Sequence, residues 1–447
     1  MSRRSMPVRC LQVVFGMVIL TAGAMAQSHP EYISFGSSKG ALYRPDEGPK
    51  PHIGIVIAHR SVSFMSHIAA RELSRRGFMV MAMATRFENN EPNVIFEDIA
   101  LDVRRGVEFL RSQDGITHVV LFGHSGGGAT MSFYQAVAEN GPAASKGPNK
   151  IVQGDSERLA NLAPADAVVL ADAHPGVGVN LLRRLDPRVI DESDPFTLDD
   201  SLDPLNPEVG YNPNGPSKYT ENFKKRYHEA QSARMNRLVD KALSIVKRME
   251  SEDYLYRDND LFLVTQRESG GLRRYDPSIS DVTYEPRRLL KDDGTIETRI
   301  VERYRPKQSG RRGSAALRGG RLGQRGDSDG RRQLSWRNTR VYTVRSFLST
   351  VAIRSTDSID RIDWTSTNNS VPNNMSNVNA PTLVVAMGAY SFIRDGEVIF
   401  EHTAAEDKEF IIIEGATHDM VPIDRERFPN MTANFFDYVA AWINERF

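Results

Sequence analysis

Three side chains in this sequence stand in settings suited to acyl transfer: a serine, a histidine and a carboxylate. Ser125 lies in Gly123-His124-Ser125-Gly126-Gly127, a G-x-S-x-G turn. The apolar run 116–122 precedes it, and Gly126, Gly127, Gly128 and Ala129 follow, so a buried strand is expected to pass through a sharp turn into a helix. A side chain at position 123 or 127 would strike neighbouring backbone in such a turn, and the helix N-terminus behind the serine favours negative charge. The plain alternative is a tight turn without chemistry. A serine hydroxyl also needs a base to take its proton. Of ten histidines, His418 in Glu414-Gly415-Ala416-Thr417-His418-Asp419 is the best candidate, because it follows the last apolar strand. His118, inside the strand, and His124, inside the turn, read as packing or turn-shaping residues.

Together the turn and the histidine loop resemble those of the α/β-hydrolase superfamily, over residues 50–180 and 378–447. The resemblance implies a carboxylate that orients the histidine. Its usual register, three residues beyond a glycine after the penultimate strand, reads Gly388-Ala389-Tyr390-Ser391 here, and Ser391 cannot carry charge. Some members place the acid at the end of the preceding strand, which selects Asp172, with Asp395 and Glu401 as alternatives. The oxyanion hole would take one backbone N–H from Gly126 and a second from His59-Arg60-Ser61. Ser61 is the expected donor and Arg60 the next choice. Arg60 stands where the family often has glycine, and its side chain is expected to face outward, the alternative being a hold on a substrate carboxylate.

The elements needed to position these groups follow from periodicity. A hairpin is expected over 31–44, and apolar strands over 53–58, 78–84, 116–122 and 167–171. Helices fill the gaps at 67–76, 94–113 and 127–139; Ile95, Ile99, Val103, Val107 and Leu110 share one helical face. Such alternation calls for a mostly parallel sheet with helices on both faces, and the ligand site lies beyond the strands' carboxyl ends. The pattern breaks after 176. A loop (177–216), a long helix capped by Thr220, strands at 255–266, 282–290 and 295–304, and an Arg/Gly-rich stretch (303–332) read as mobile come before 341–353 regains apolar character. The core pattern then resumes with strands 382–387 and 409–413 and helices 397–405 and 434–444. The expected class is α/β, an α/β-hydrolase fold with a large lid or cap insertion. Its divisions are a signal peptide (1–26), core (27–176), insertion (177–377) and core (378–447).

Composition bounds the rest. Among 447 residues 40% are apolar, and 57 basic residues balance 57 acidic ones, so global charge points to neither nucleic acid nor a membrane surface. Arg3, Arg4 and Arg9, an apolar stretch 11–25 and Ala24-Met25-Ala26 form a signal peptide pattern, which implies a secreted or periplasmic chain starting at Gln27 with no stable membrane span. The one cysteine, Cys10, lies in that segment, so no disulfide or thiolate site is expected. No metal or organic cofactor motif occurs. The expected activity is that of an exported serine hydrolase acting on a small-molecule or polymer-derived carboxylic ester. An amidase or peptidase would use the same residues. The other readings are a non-catalytic binding protein on this scaffold, and an anionic polymer or surface bound by the arginine-rich stretch.

Overall fold

The computed structural model describes residues 29–251, 254–256, 259–265, 271–305 and 339–447. The expected signal peptide and residues 306–332 of the arginine-rich stretch lie outside the described residues. The first six strands are β1 (Glu31–Ser34), β2 (Lys39–Tyr43), β3 (Ile53–Ile57), β4 (Met79–Ala84), β5 (His118–His124) and β6 (Ala167–Ala171). Five of these six, with β8 (Arg287–Leu290), β9 (Ile296–Arg299), β13 (Thr382–Met387) and β14 (Lys408–Ile413), continue a ten-stranded sheet begun by β1. Its order is β1-β2-β4-β3-β5-β6-β13-β14-β8-β9. All neighbours from β4 to β8 in that order run parallel; β1, β2 and β9 pair antiparallel at the edges.

Period-two alternation explains why two apolar layers form. Val56, Val119, Leu121, Val168 and Leu170 face one layer, which α2 (Ile99–Arg111) and α3 (Gly127–Asn140) cover together with the helix Ile393–His402. Ile55, Ile57, Val120, Phe122 and Val169 face the other, covered by α1 (Ile68–Ser74) and the closing helix Met431–Asn444. This is an α/β-hydrolase architecture in strand order and in the placing of its helices.

The inserted span departs from the expectation in one respect. Its strands β8 and β9 belong to the main sheet: Leu289 joins one apolar layer and Leu290 the other, so this hairpin extends both. The 177–377 boundary therefore encloses residues that pack as core. The rest of the span gathers around α4 (Val177–Leu182) and the long α5 (Glu221–Met249), which Thr220 caps by accepting the Phe223 N–H at 3.3 Å. Two small ribbons, β7 (Leu261–Val264) with β10 (Arg340–Thr343) and β11 (Arg354–Asp357) with β12 (Arg361–Asp363), complete it. Leu182, Leu238, Val264 and Phe347 share its apolar cluster. Among the described residues no helix is long and apolar enough to cross a membrane.

Candidate active site

The sharp turn at the end of β5 is built as its glycines demand. Ser125 has φ +56°, a conformation that costs a non-glycine residue energy. A Cβ at Gly123 would sit 2.7 Å from the Gly127 carbonyl oxygen, and one at Gly127 would sit 2.5 Å from that of Ala58. The Ser125 N–H is tied to the Ala171 carbonyl at 3.2 Å, and the Gly128 N–H returns to the Ser125 carbonyl at 3.0 Å. The hydroxyl is thereby lifted above the strand ends at the N-terminus of α3.

His418 comes from the loop after β14. The Thr417 N–H and Val421 carbonyl close that loop at 2.9 Å, and Met420 takes φ +60° within it. His418 Nε2 lies 3.0 Å from Ser125 Oγ, and Nδ1 lies 2.5 Å from Asp172 Oδ2. Asp172, at the end of β6, is buried with φ +45°; its other oxygen accepts the Met387 N–H at 3.1 Å, so both carboxylate oxygens are engaged. Burial pushes its carboxyl pKa up, against the opposing pull of the His418 contact. Asp395 and Glu401 lie elsewhere. Asp395 pairs with Arg183 at 2.6 Å in the interior, and Glu401 pairs with Arg287 at 2.8 Å. Ser391 offers its carbonyl to Arg273 at 3.0 Å.

A histidine relay beneath the site was not legible in the sequence. His67 Nδ1 accepts the Ala69 N–H at 3.2 Å, which leaves its proton on Nε2, 3.0 Å from His124 Nδ1. His124 Nε2–H then donates to the His418 carbonyl at 2.8 Å. Each ring must be neutral for this chain of donors to work. Burial agrees, holding His124 well below its ordinary pKa and His67 at about 4. Tyr390 stacks on the His418 ring at 4.4 Å and Phe392 meets it edge-on at 5.6 Å.

The loop after β3 corrects two details. The Ser61 N–H, the expected second oxyanion donor, donates to His59 Nδ1 at 3.2 Å, and the Val62 N–H donates there too at 3.0 Å. His59 is held neutral by burial, so accepting at Nδ1 puts its proton on Nε2. Arg60 does not face outward. Its Nη1 and His59 Nε2 fill the space where a side chain on Gly126 would begin, and Glu91 holds its Nη2 at 2.6 Å. The inward turn follows from Glu91, whose other oxygen takes the Ser61 hydroxyl. Among the described residues no cluster of metal-ligating groups occurs.

No family model matches the chain, and no curated protein matches it. Solved structures resemble it in outline. DcsB in complex with a substrate analogue is 13% identical, with a TM-score of 0.41 and coverage of 92% of this chain and 94% of that one. A hypothetical protein from Pseudomonas aeruginosa is 14% identical at a TM-score of 0.41, covering 99% and 100%. The α/β hydrolase GrgF from a Penicillium species is 11% identical at 0.39, covering 92% and 94%.

Proposed function

We propose that this chain is an exported serine hydrolase that cleaves a carboxylic ester through an acyl-enzyme. The observation that carries the reading is the unbroken line from Ser125 Oγ through His418 to Asp172 at a strained turn on the strand ends. His418 Nε2 takes the hydroxyl proton as Ser125 Oγ bonds to the ester carbonyl carbon. The carbonyl electrons pass to oxygen and return as the C–O bond to the alcohol breaks, and the imidazolium gives its proton to that alcohol. Water, deprotonated by the same nitrogen, then releases the acid and restores Ser125. Asp172 fixes the tautomer with Nδ1 protonated and stabilises the imidazolium.

Gly126, at the start of α3, supplies one oxyanion N–H. With the Ser61 N–H engaged inside its loop, the Arg60 backbone N–H is the second donor we assign to the hole. Export is supported by the pattern of residues 1–26. The test is turnover of short-chain para-nitrophenyl esters and matching anilides by wild type and Ser125→Ala. Ester turnover lost by about four orders of magnitude or more in the variant supports the reading. Faster anilide cleavage moves the activity to amides, and ester turnover that survives Ser125→Ala overturns it.

A further inference from the structure

Beside the triad lies a cavity of about 1020 Å³, larger than most small-ligand sites, and its wall is charged in one sense. Eight lining residues are arginines, and one, Glu91, is a carboxylate. They converge from distant parts of the chain: Arg60 from the loop after β3, Arg183 and Arg184 from the end of α4, Arg273 from the stretch after β7, Arg303 and Arg305 from beyond β9, and Arg340 from β10. The cavity reaches the chemistry directly, because Arg60 lies against Gly126 and Tyr390, another wall residue, stacks on His418.

Three carboxylates answer five of these guanidinium groups. Glu91 holds Arg60; Asp395 holds Arg183 at 2.6 Å and Arg273 at 3.4 Å; Asp281 holds Arg303 at 3.7 Å and also pairs with Arg305. Arg184 and Arg340 are exposed to the cavity and have no carboxylate at ion-pair distance among the described residues. Two uncharged wall groups are also unsatisfied: among the described residues, His174 Nδ1 and Thr339 Oγ1 are buried without a hydrogen-bond partner. Like charges gathered in one concavity repel each other, and buried polar atoms left unpaired cost free energy, so an anion in this cavity would be held favourably. Planar guanidinium forks suit oxyanions, which they hold through paired N–H donors.

We infer that the cavity binds the anionic part of the substrate, so that the scissile ester belongs to a molecule carrying carboxylate or phosphate groups. The inference rests on the serine hydrolase reading for its chemistry, but not for its binding. Kinetics compare para-nitrophenyl valerate with the mono-para-nitrophenyl ester of glutaric acid, which has the same chain length and one added carboxylate. Wild type is expected to favour the glutarate in kcat/KM by roughly tenfold or more, a preference that falls as salt is raised. In Arg184→Gln/Arg340→Gln the ratio of the two kcat/KM values is expected to drop by roughly tenfold. A wild type that favours the neutral ester, or a ratio unchanged in the variant, overturns the inference.

Calorimetry on full-length Ser125→Ala keeps the two readings apart. Citrate and pyrophosphate serve as probes, the first for carboxylates and the second for phosphates. Saturable binding of either, lost when Arg184→Gln/Arg340→Gln is added, supports the inference even if neither ester is hydrolysed, in which case the serine hydrolase reading alone fails. Failure of both anions to bind overturns it.

Discussion

The two sides of this site are made differently. On one side Ser125 and Asp172 stand at the ends of β5 and β6, held by backbone hydrogen bonds to neighbouring strands, and His418 stands in the short closed loop that follows β14. On the other, the arginine wall is assembled from loops and short elements, and five of its guanidinium groups are placed by carboxylates from other parts of the chain. Reactive groups are thus fixed by the sheet and its turns, and most of the arginines on the cavity wall by ion pairs between separate elements. Chemistry and selectivity should then fail separately.

The largest effect is expected at the sheet side. Asp172→Asn keeps the shape but removes the charge that stabilises the imidazolium, so kcat should fall by about four orders of magnitude with little change in KM. A loss below tenfold would mean that His418 is oriented by another group. On the wall side, Asp395→Asn leaves Arg183 buried without its partner. Unfolding in denaturant should show a loss of about 3 kcal/mol, whereas the pH dependence of kcat keeps its shape. A shifted pH profile with undiminished stability would reverse the assignments of Asp172 and Asp395.

A smaller effect concerns acid. Burial depresses His59, His67, His124 and His174 around the site, with His67 held to about 4 and His174 to about 3. In the unfolded chain each protonates near pH 6.5, so between that value and the folded pKa values the unfolded state binds more protons. Stability from these rings is complete above about pH 6.5 and is lost progressively as pH falls toward 4 and below. Asp172, whose pKa is raised, acts in the opposite sense as a single group. Thermal midpoints measured from pH 7.5 to 4 should therefore decline, and less so in His67→Gln. A flat profile would mean that the relay carries charge in the folded protein.

The same division governs what the sequence could say. The β5 strand, the turn and α3 were legible because each obeys a local rule: apolar run, close-packed glycines, small residues at a helix start. The nearness of Asp172 to His418 depends on β13 lying beside β6, which no local pattern states; the family resemblance suggested the position, and the structure brings the two together. The inward turn of Arg60 depends on Glu91, and the relay on His67 and His124 meeting from separate elements. None of these pairs has a sequence spacing that marks it. The hairpin of β8 and β9 was legible as two successive strands, but not as an edge of the main sheet. Its few apolar residues gain meaning only beside β14. The helix at 393–402 begins earlier than its apolar pattern implied, because its first turn carries the buried Asp395.

One measurement bears most directly on the central claim. Purified protein beginning at Gln27 would be treated with a fluorophosphonate, and the modified residue located by peptide mass spectrometry. One adduct is expected, on Ser125, absent in Ser125→Ala and formed far more slowly in Asp172→Asn. An adduct on another residue, or none on folded wild-type protein, would contradict it.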